Sequence, residues 1–530
     1  MVVASVAVAS PTLVYRDDPL YVRARQVALA AGGPAPPLTS PITHAELDFM
    51  LSCIEADRLE GELLAEYLEL RRLLVRTADD PLGTIGLRAT GELYLHTSDD
   101  PAAWRYWYPD RRPALSLPIR AWPVASLYVE FDLDWRRNYP FFPGTTRQVA
   151  DPDPMTNIPF DPLTSDVQFP FRGLISLAGE RWSVQFGRSR VSMGSGVAGS
   201  LFLSDHVDYH EYLMASVYGR LLTYRALYLD LEPWVGASQQ DSLADRMFFA
   251  HRIEMRPFPW LSLAANDGFI LADRPIELRY LNPLMIMHSW FIPQYGNSLL
   301  NFEFAVRPVA GLEVYGHFAI EQLQSAVEQE RGYAEDDPDA FGYLAGIEYA
   351  RPLSFGWLTV GTEWAFLDPW MYIGRTVDNS FTWRRLVQAE HVIPSGAKML
   401  VEKPLGYPAG ADYYEVLVHA RADLVSRYAI AAQARFAAKG ENQVGRSPDV
   451  VDAADALRRT PSGDAPEYIV HGRVAANVLL GRFTLRTLRF EAHTGAVLDV
   501  LRVTNRGFDP GTVLRDVQFS PYLSVTLGGQ

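Results

Sequence analysis

The feature that most constrains this chain is a two-residue period of apolar and polar side chains that recurs from about residue 84 to the C-terminus. On residues 123–136, Ala125, Leu127, Val129, Phe131, Leu133 and Trp135 share one face, while Ser126, Tyr128, Glu130, Asp132, Asp134 and Arg136 share the other. Successive side chains of a strand point to opposite faces, so this segment reads as a long strand with one apolar side. The same pattern returns on 299–307, 312–321, 413–422 and 428–436. The connections between such segments alternate in length. Short turns fall near 178–181, 256–260, 307–311, 350–355, 424–427 and 480–482. Three of them carry Arg-Pro, at Arg256-Pro257, Arg307-Pro308 and Arg351-Pro352. Longer polar loops fall near 190–208, 272–296, 322–341, 367–381, 439–466 and 494–513. A soluble sandwich has no reason to keep tight turns at one end and long loops at the other. A transmembrane barrel does. Hairpins beginning near 171, 209, 246, 297, 341, 381, 413 and 467, with single strands at 120–136 and 514–526, give an all-β antiparallel barrel of about 18 strands (range about 16–20). Residues 84–97 also alternate, and their place stays open.

Composition agrees with this reading. The 530 residues are 48% hydrophobic and 12% aromatic, yet mean hydropathy is −0.05. Alternating strands give that combination, and no apolar run reaches the roughly 18 residues of a transmembrane helix. A net charge of −15 argues against a nucleic-acid partner, which needs a basic face. The single cysteine, Cys53, leaves no internal disulfide to form. Residues 1–16 read as a possible signal-peptide remnant, with Ala7-Val8-Ala9 as a small-residue cleavage site but no basic segment before it. Residues 17–80 read as a helical plug region. Asp18-Pro19-Leu20 opens a first helix, which Gly32-Gly33-Pro34 stops. Thr43 with Glu46 caps a second, and Leu59 to Val75 forms a third. Residues 81–530 are then the barrel.

In a barrel the apolar faces meet lipid and the polar faces line the lumen. The expected lumen residues are Arg252, Glu254, Glu303, Arg307, Glu313, His317, Glu321, Glu348, Glu415, His419, Arg421 and Arg435, whose mixed signs suggest cross-strand ion pairs. The tryptophans 104, 107, 290, 357, 364, 370 and 383 suit interfacial girdles. Gly194-Ser195-Gly196-Val197-Ala198-Gly199 spells a dinucleotide fingerprint, but no helix or βαβ unit follows, so it reads as a glycine loop. Asp205, His206, Asp208, His210 and Glu211 are the densest group of potential metal ligands. Their strand-like flanks spread the histidines apart, so no metal and no cofactor is expected. No nucleophile elbow, zinc helix or phosphate loop is present, and no catalysis is expected, with an outer-membrane hydrolase as a trailing alternative. Loop 98–113 joins Trp104, Tyr106, Trp107 and Tyr108 to Arg105, Arg111 and several aspartates. That composition suits stacking on sugar rings and equally a membrane-interface loop.

Several segments resemble the Wzi capsule-assembly family, in order along most of the chain: residues 19–42, 181–204 (RWSVQFGRSRVSMGSGVAGSLFLS), 249–256 (FAHRIEMR), 281–317 and 405–441. The resemblance implies a helical plug, an 18-stranded outer-membrane barrel and a lectin that holds capsular polysaccharide at the cell surface. Two departures stand out. Met193 replaces the family's tryptophan in the glycine loop, and the chain ends Leu527-Gly528-Gly529-Gln530 rather than on an aromatic. The family also occurs without a capsule, so a capsule does not follow. The expectation is a monomeric protein of the bacterial outer membrane that contacts lipid, uses the barrel assembly machinery and binds surface or capsular polysaccharide. Its expected ligand contacts are Trp104, Arg105, Trp107, Tyr108, Arg188, Ser195, Asp205 and His206. The alternative is a gated channel for a small or oligomeric solute.

Overall fold

A computed structural model describes the chain except residues 1–9, 37, 78–79, 99–110, 139–155, 161–163, 167–170, 233–244, 273–274, 283–284, 288–295, 324–337, 375, 388–398, 425–426, 445–458, 486–487 and 530. Among the described residues, eighteen long strands close into one antiparallel barrel. They are β1 Gly83–Glu92, β2 Leu115–Val124, β3 Leu127–Arg137, β4 Arg172–Ala178, β5 Trp182–Ser189 and β6 His210–Tyr218. Next come β7 Leu222–Leu231, β8 Arg246–Phe258, β9 Leu261–Ala272, β10 Gly296–Val309, β11 Leu312–Gln322 and β12 Ala340–Leu353. The series ends with β13 Gly356–Leu367, β14 Tyr413–Leu424, β15 Tyr428–Lys439, β16 Glu467–Leu485, β17 Leu488–Thr504 and β18 Val513–Gly529. Closure is between β18 and β1, whose register runs from Tyr522↔Glu92 to Gly529↔Ile85. Among the described strands of the barrel no edge is left to face lipid, the condition a β-structure must meet to sit in a bilayer.

The expected total of about 18 is reached by a different set of strands. Residues 84–97 supply β1, and 120–136 is the hairpin β2–β3 rather than one strand. The hairpin expected at 381 exists, as Thr382–Val387 paired with Met399–Pro404, but it is a separate two-stranded sheet within the β13–β14 connection. Long and short connections alternate as expected. β16 and β17 stay paired as far as Leu485↔Leu488 rather than parting at 480–482, and the last long connection is 505–512, because both strands outrun their apolar pattern.

Outward faces form an apolar belt that includes Leu213, Val217, Ile253, Phe302, Phe304, Ile347, Trp364, Val416, Ile430 and Phe436, all exposed. Inward neighbours on the same strands are shielded: Arg252, Glu254, Glu303, Arg307, Glu313 and Glu415 are buried. The expected cross-strand pairs are present, with Arg252 Nη1 at 2.6 Å from Glu303, Arg307 Nε at 2.8 Å from Glu313 and Arg435 Nε at 2.9 Å from Glu415. The girdle reading of the tryptophans needs correction. Trp364 lies on the belt, but Trp357, Trp370 and Trp383 are buried inside. Trp357 falls on the inward parity of β13, and the other two lie in the β13–β14 connection, which folds inward. Trp104, Trp107 and Trp290 lie outside the described residues.

Three helices precede the barrel: α1 Pro19–Ala30, α2 His44–Ser52 and α3 Gly61–Leu74. Their starts are local chemistry. The Asp18 carboxylate accepts from Leu20 N at 2.8 Å with Pro19 in the first turn, and Thr43 Oγ1 accepts from Glu46 N at 3.1 Å. The helices bury Tyr21, Val27, Leu47, Leu51, Tyr67 and Leu70 against one another and against Trp357. They sit at the short-turn end of the lumen. Gly311 N, in the β10–β11 turn, donates to Leu29 O at 2.7 Å, and Arg25 reaches Glu313 and Glu348 on the wall at 2.6 and 3.1 Å.

Candidate functional site

The connection from β5 to β6 does not stay outside. It turns into the lumen on glycines that only a residue without Cβ can fill. Gly194 and Gly196 have φ of +112° and +121°, and a Cβ at Gly196 would meet Gly199 O at 2.1 Å. The descending loop pairs with the N-terminal segment, Ser192 opposite Ser40 and Met193 opposite Thr39, and Arg16 bonds the Gly196 carbonyl. Its tip is held from the wall. Val197 N and Ala198 N donate to the two oxygens of Glu363 at 2.6 and 3.0 Å, and Tyr315 Oη donates to the same carboxylate at 2.7 Å.

Around this loop lies a hydrophobic core inside the barrel, which the expectation of a polar lumen missed. Met193, Leu201, Phe202 and Leu203 pack on inward residues of the wall, among them Leu229, Phe248, Ile270, Leu299 and Leu344, and on Trp370 and Tyr372. Period-two alternation cannot show this, because an apolar inward residue breaks the pattern and reads as noise. From β6 to β14 the lumen is therefore packed like a protein interior.

Ser195 is in that interior, 2% exposed, with its Oγ bonded to His317 Nε2. Glu303 lies 3.9 Å from that same nitrogen, and His317 Nδ1 has no partner among the described residues. A serine hydrolase needs its carboxylate on the opposite ring nitrogen and an accessible hydroxyl. The Ser195–His317 contact has neither, so it holds the loop to β11.

The remaining sequence-predicted residues separate into two groups. Trp104, Arg105, Trp107 and Tyr108 lie outside the described residues. Arg188, Asp205 and His206 gather at the long-loop end. Arg188 shares its side of β5 with Trp182 and Phe186, bonds Glu211 on β6 at 2.5 Å and lies 4.0 Å over the Tyr209 ring. Asp205 and His206 are half-buried. His206 has both ring nitrogens shielded and its pKa pushed well below the usual histidine range, by burial first and then by Lys403. The other members of the supposed ligand group are engaged elsewhere: Asp208 by Arg385 at 2.8 Å and His210 Nδ1 by Val191 N at 3.1 Å.

The structure adds Arg385, which sequence did not single out, and gives Trp383 and Asp208 new surroundings. The Thr382–Val387 hairpin strand carries Arg385, which bridges Asp208 and Asp166 at 2.8 and 2.9 Å, and Trp383, which meets Tyr209 edge-on at 6.1 Å. Beside Asp208 is a cavity of about 350 Å³ lined by Phe171, Arg136, Arg190, Asp208, Arg88 and Arg112. Aromatic faces, guanidinium groups and carboxylates around one polar cavity are the components of a saccharide site. No single sequence window contains them, because they come from β1, the β1–β2 connection, β3, the residue before β4, the β5–β6 connection and the 382–404 hairpin.

No family model matches the chain, and no curated protein matches it in sequence. Among solved structures it is similar to Wzi, described as an outer-membrane protein involved in group 1 capsule assembly in Escherichia coli and a carbohydrate-binding β-barrel. The TM-score is 0.56 and the identity 14%, over 97% of this chain and 98% of that one. It is also similar to OprD of Pseudomonas aeruginosa, with TM-score 0.40 and 8% identity over 84% of this chain and 93% of that one. OccK3 of the same organism gives TM-score 0.43 and 9% identity, over 84% and 96%. The fold of this chain is that of Wzi, a closed, lipid-belted barrel of the bacterial outer membrane.

Proposed function

We propose that this protein binds a surface or exported polysaccharide at its long-loop end and that its helices and inward loop close the lumen. The observation that carries this reading is the packed interior from β6 to β14. A barrel whose lumen is a hydrophobic core with buried ion pairs is built as a rigid platform, not as an open pore. The likeness to a carbohydrate-binding barrel supports the same ligand class. In this reading Trp104, Arg105, Trp107 and Tyr108 contact glycan from loop 98–113, with Arg188, Asp205 and His206 at the rim. Ser195 positions the loop from below. Residues 17–80 act as the plug, the chain works as a monomer in outer-membrane lipid, and the barrel assembly machinery inserts it. A glycan array with purified protein is the test: saturable binding to one polysaccharide class supports the reading, and a blank array removes it. Loss of cell-surface glycan in a deletion strain is the matching result in cells.

A second reading, a gated channel, has one observation in its favour. The lumen beside β16, β17, β18 and β1 is not filled, and Arg88, Arg482 and Arg489 stand exposed there. Conductance across a planar bilayer separates the two.

A further inference from the structure

The unfilled side of the lumen has a composition of its own. A cavity of about 440 Å³ lies against β16–β18 and β1, and it shares Arg88, Arg112 and Pro113 with the smaller cavity above it. Barrel register fixes how its residues are arranged. Arg482 pairs with Glu491, Glu491 with Thr526 and Thr526 with Arg88, so these four lie in one row across β16, β17, β18 and β1. Partners in an antiparallel register project to the same face, and Arg489, two residues from Glu491, projects to that face as well. Its own partner is Gly528, where an added Cβ would meet open space.

Charge in this cavity is unlike that of the chain. The net charge of the protein is −15, yet the cavity is lined by Arg88, Arg112 and Arg489, and Glu491 is its one carboxylate among the described residues. Glu491 is already held by Arg482 at 2.6 Å and by His493. Arg112 is oriented by Glu92 and lies 3.7 Å over the Tyr522 ring. Arg88 touches only the Thr526 hydroxyl, at 3.3 Å, and neither it nor Arg489 has a carboxylate partner among the described residues. Strand spacing and rise put the Cα positions of these two arginines about 12 Å apart. Thr526 places a hydroxyl between them, and Thr90 and Ser524, bonded to each other at 2.9 Å, line the cleft on the far side of Arg88.

We propose that this cleft binds an acidic, carboxylate-bearing saccharide within the lumen, entered from the short-turn side. The arginine forks take carboxylates, the hydroxyls take sugar hydroxyls, and the Tyr522 ring borders the sugar path. The site adjoins the long-loop cavity through Arg88, Arg112 and Pro113 but does not use the aromatic contacts of the proposed function. It also answers a problem of charge, since an acidic protein holds an acidic glycan only where arginines are left uncompensated.

The test is titration of the full-length protein in detergent with fluorescent oligogalacturonate. The expected result is saturable binding that weakens with salt, is displaced by unlabelled oligogalacturonate and is unaffected by neutral malto-oligosaccharide. Arg88→Gln with Arg489→Gln is expected to lower affinity by about tenfold or more. Gly528→Leu fills the cleft without touching charge and is expected to do the same, which separates lost charge from misfolding. Heat-modifiable migration on gels confirms that each variant is folded. Absence of oligogalacturonate binding overturns the proposal, as does binding indifferent to both variants, or displacement by inorganic phosphate as effective as by the oligomer. If binding is instead lost on replacing Trp104, Arg105, Trp107 and Tyr108 and kept in the cleft variants, the long-loop reading stands and the cleft falls.

Discussion

Two residues show how tightly the lumen is built and where it is vulnerable. Phe202 is fully buried, 5.8 Å from the Phe248 ring, and its own ring lies so close to β9 that a Cβ on Gly268 would come within 2.7 Å. Phe202→Ala is therefore expected to cost about 3–5 kcal/mol, read as a lower temperature of heat modification on gels. Gly268→Ala should destabilise as well, because the ring it meets is packed on its other side. His44 is the vulnerable residue. It opens α2 with Nδ1 shielded and without a partner among the described residues, and burial pushes its pKa down to about 4. A released helix would let it titrate near 6.5. Between those values the released state takes up a proton that the docked state refuses, so docking is at full strength above about pH 7 and weakens as pH falls towards 4. Hydrogen exchange of α2 should rise over that window, and His44→Gln should remove the dependence. Exchange that stays flat in the wild type would refute the assignment.

At the scale of elements, α2 is locked to the wall by one buried ion pair. Glu46 and Arg225 are 1% and 0% exposed, with Arg225 Nη1 at 3.2 Å from the carboxylate and Nη2 closer. Glu46→Ala leaves a guanidinium buried without its partner and is expected to weaken helix docking by about 3–5 kcal/mol, while adding Arg225→Leu should restore part of that loss. Limited proteolysis of residues 44–74 measures both. This pair also marks the limit of what the sequence makes legible. Thr43 and Glu46 read correctly as a helix start, since capping is decided within four residues. The Glu46 side chain, however, reaches β7 rather than its own cap, a choice made by a strand some 180 residues away. The hairpin at 382–404 was legible as a hairpin but not as one outside the barrel, because alternation and turns carry no information about which sheet a strand joins. Belt and lumen parity were legible on β3, β10, β11, β14 and β15, where the outward face is continuously apolar. The inward core around Phe202 was not, nor was the row from Arg482 to Arg88, which exists only once register brings four strands together.

The barrel interior is asymmetric about its axis. An empty barrel of this strand number encloses an aqueous channel, as porins do. Here the wall from β6 to β14 faces helices, inward loop and hydrophobic core, and the described cavities lie on the other side, against β1–β4 and β16–β18. The helical region is the largest removable part of that filling, and its contacts with the wall lie at the short-turn end. Deletion of residues 17–77 should therefore open a conducting lumen, with single-channel conductance at least about tenfold above that of the intact protein. Glu46→Ala should give intermittent opening, since it weakens the same attachment without removing the helices. Large, steady conductance from the intact protein would favour transport over polysaccharide binding. A deletion variant that folds, migrates as heat-modifiable and still does not conduct would place the seal in the inward loop at Gly194–Gly199 instead of the helices.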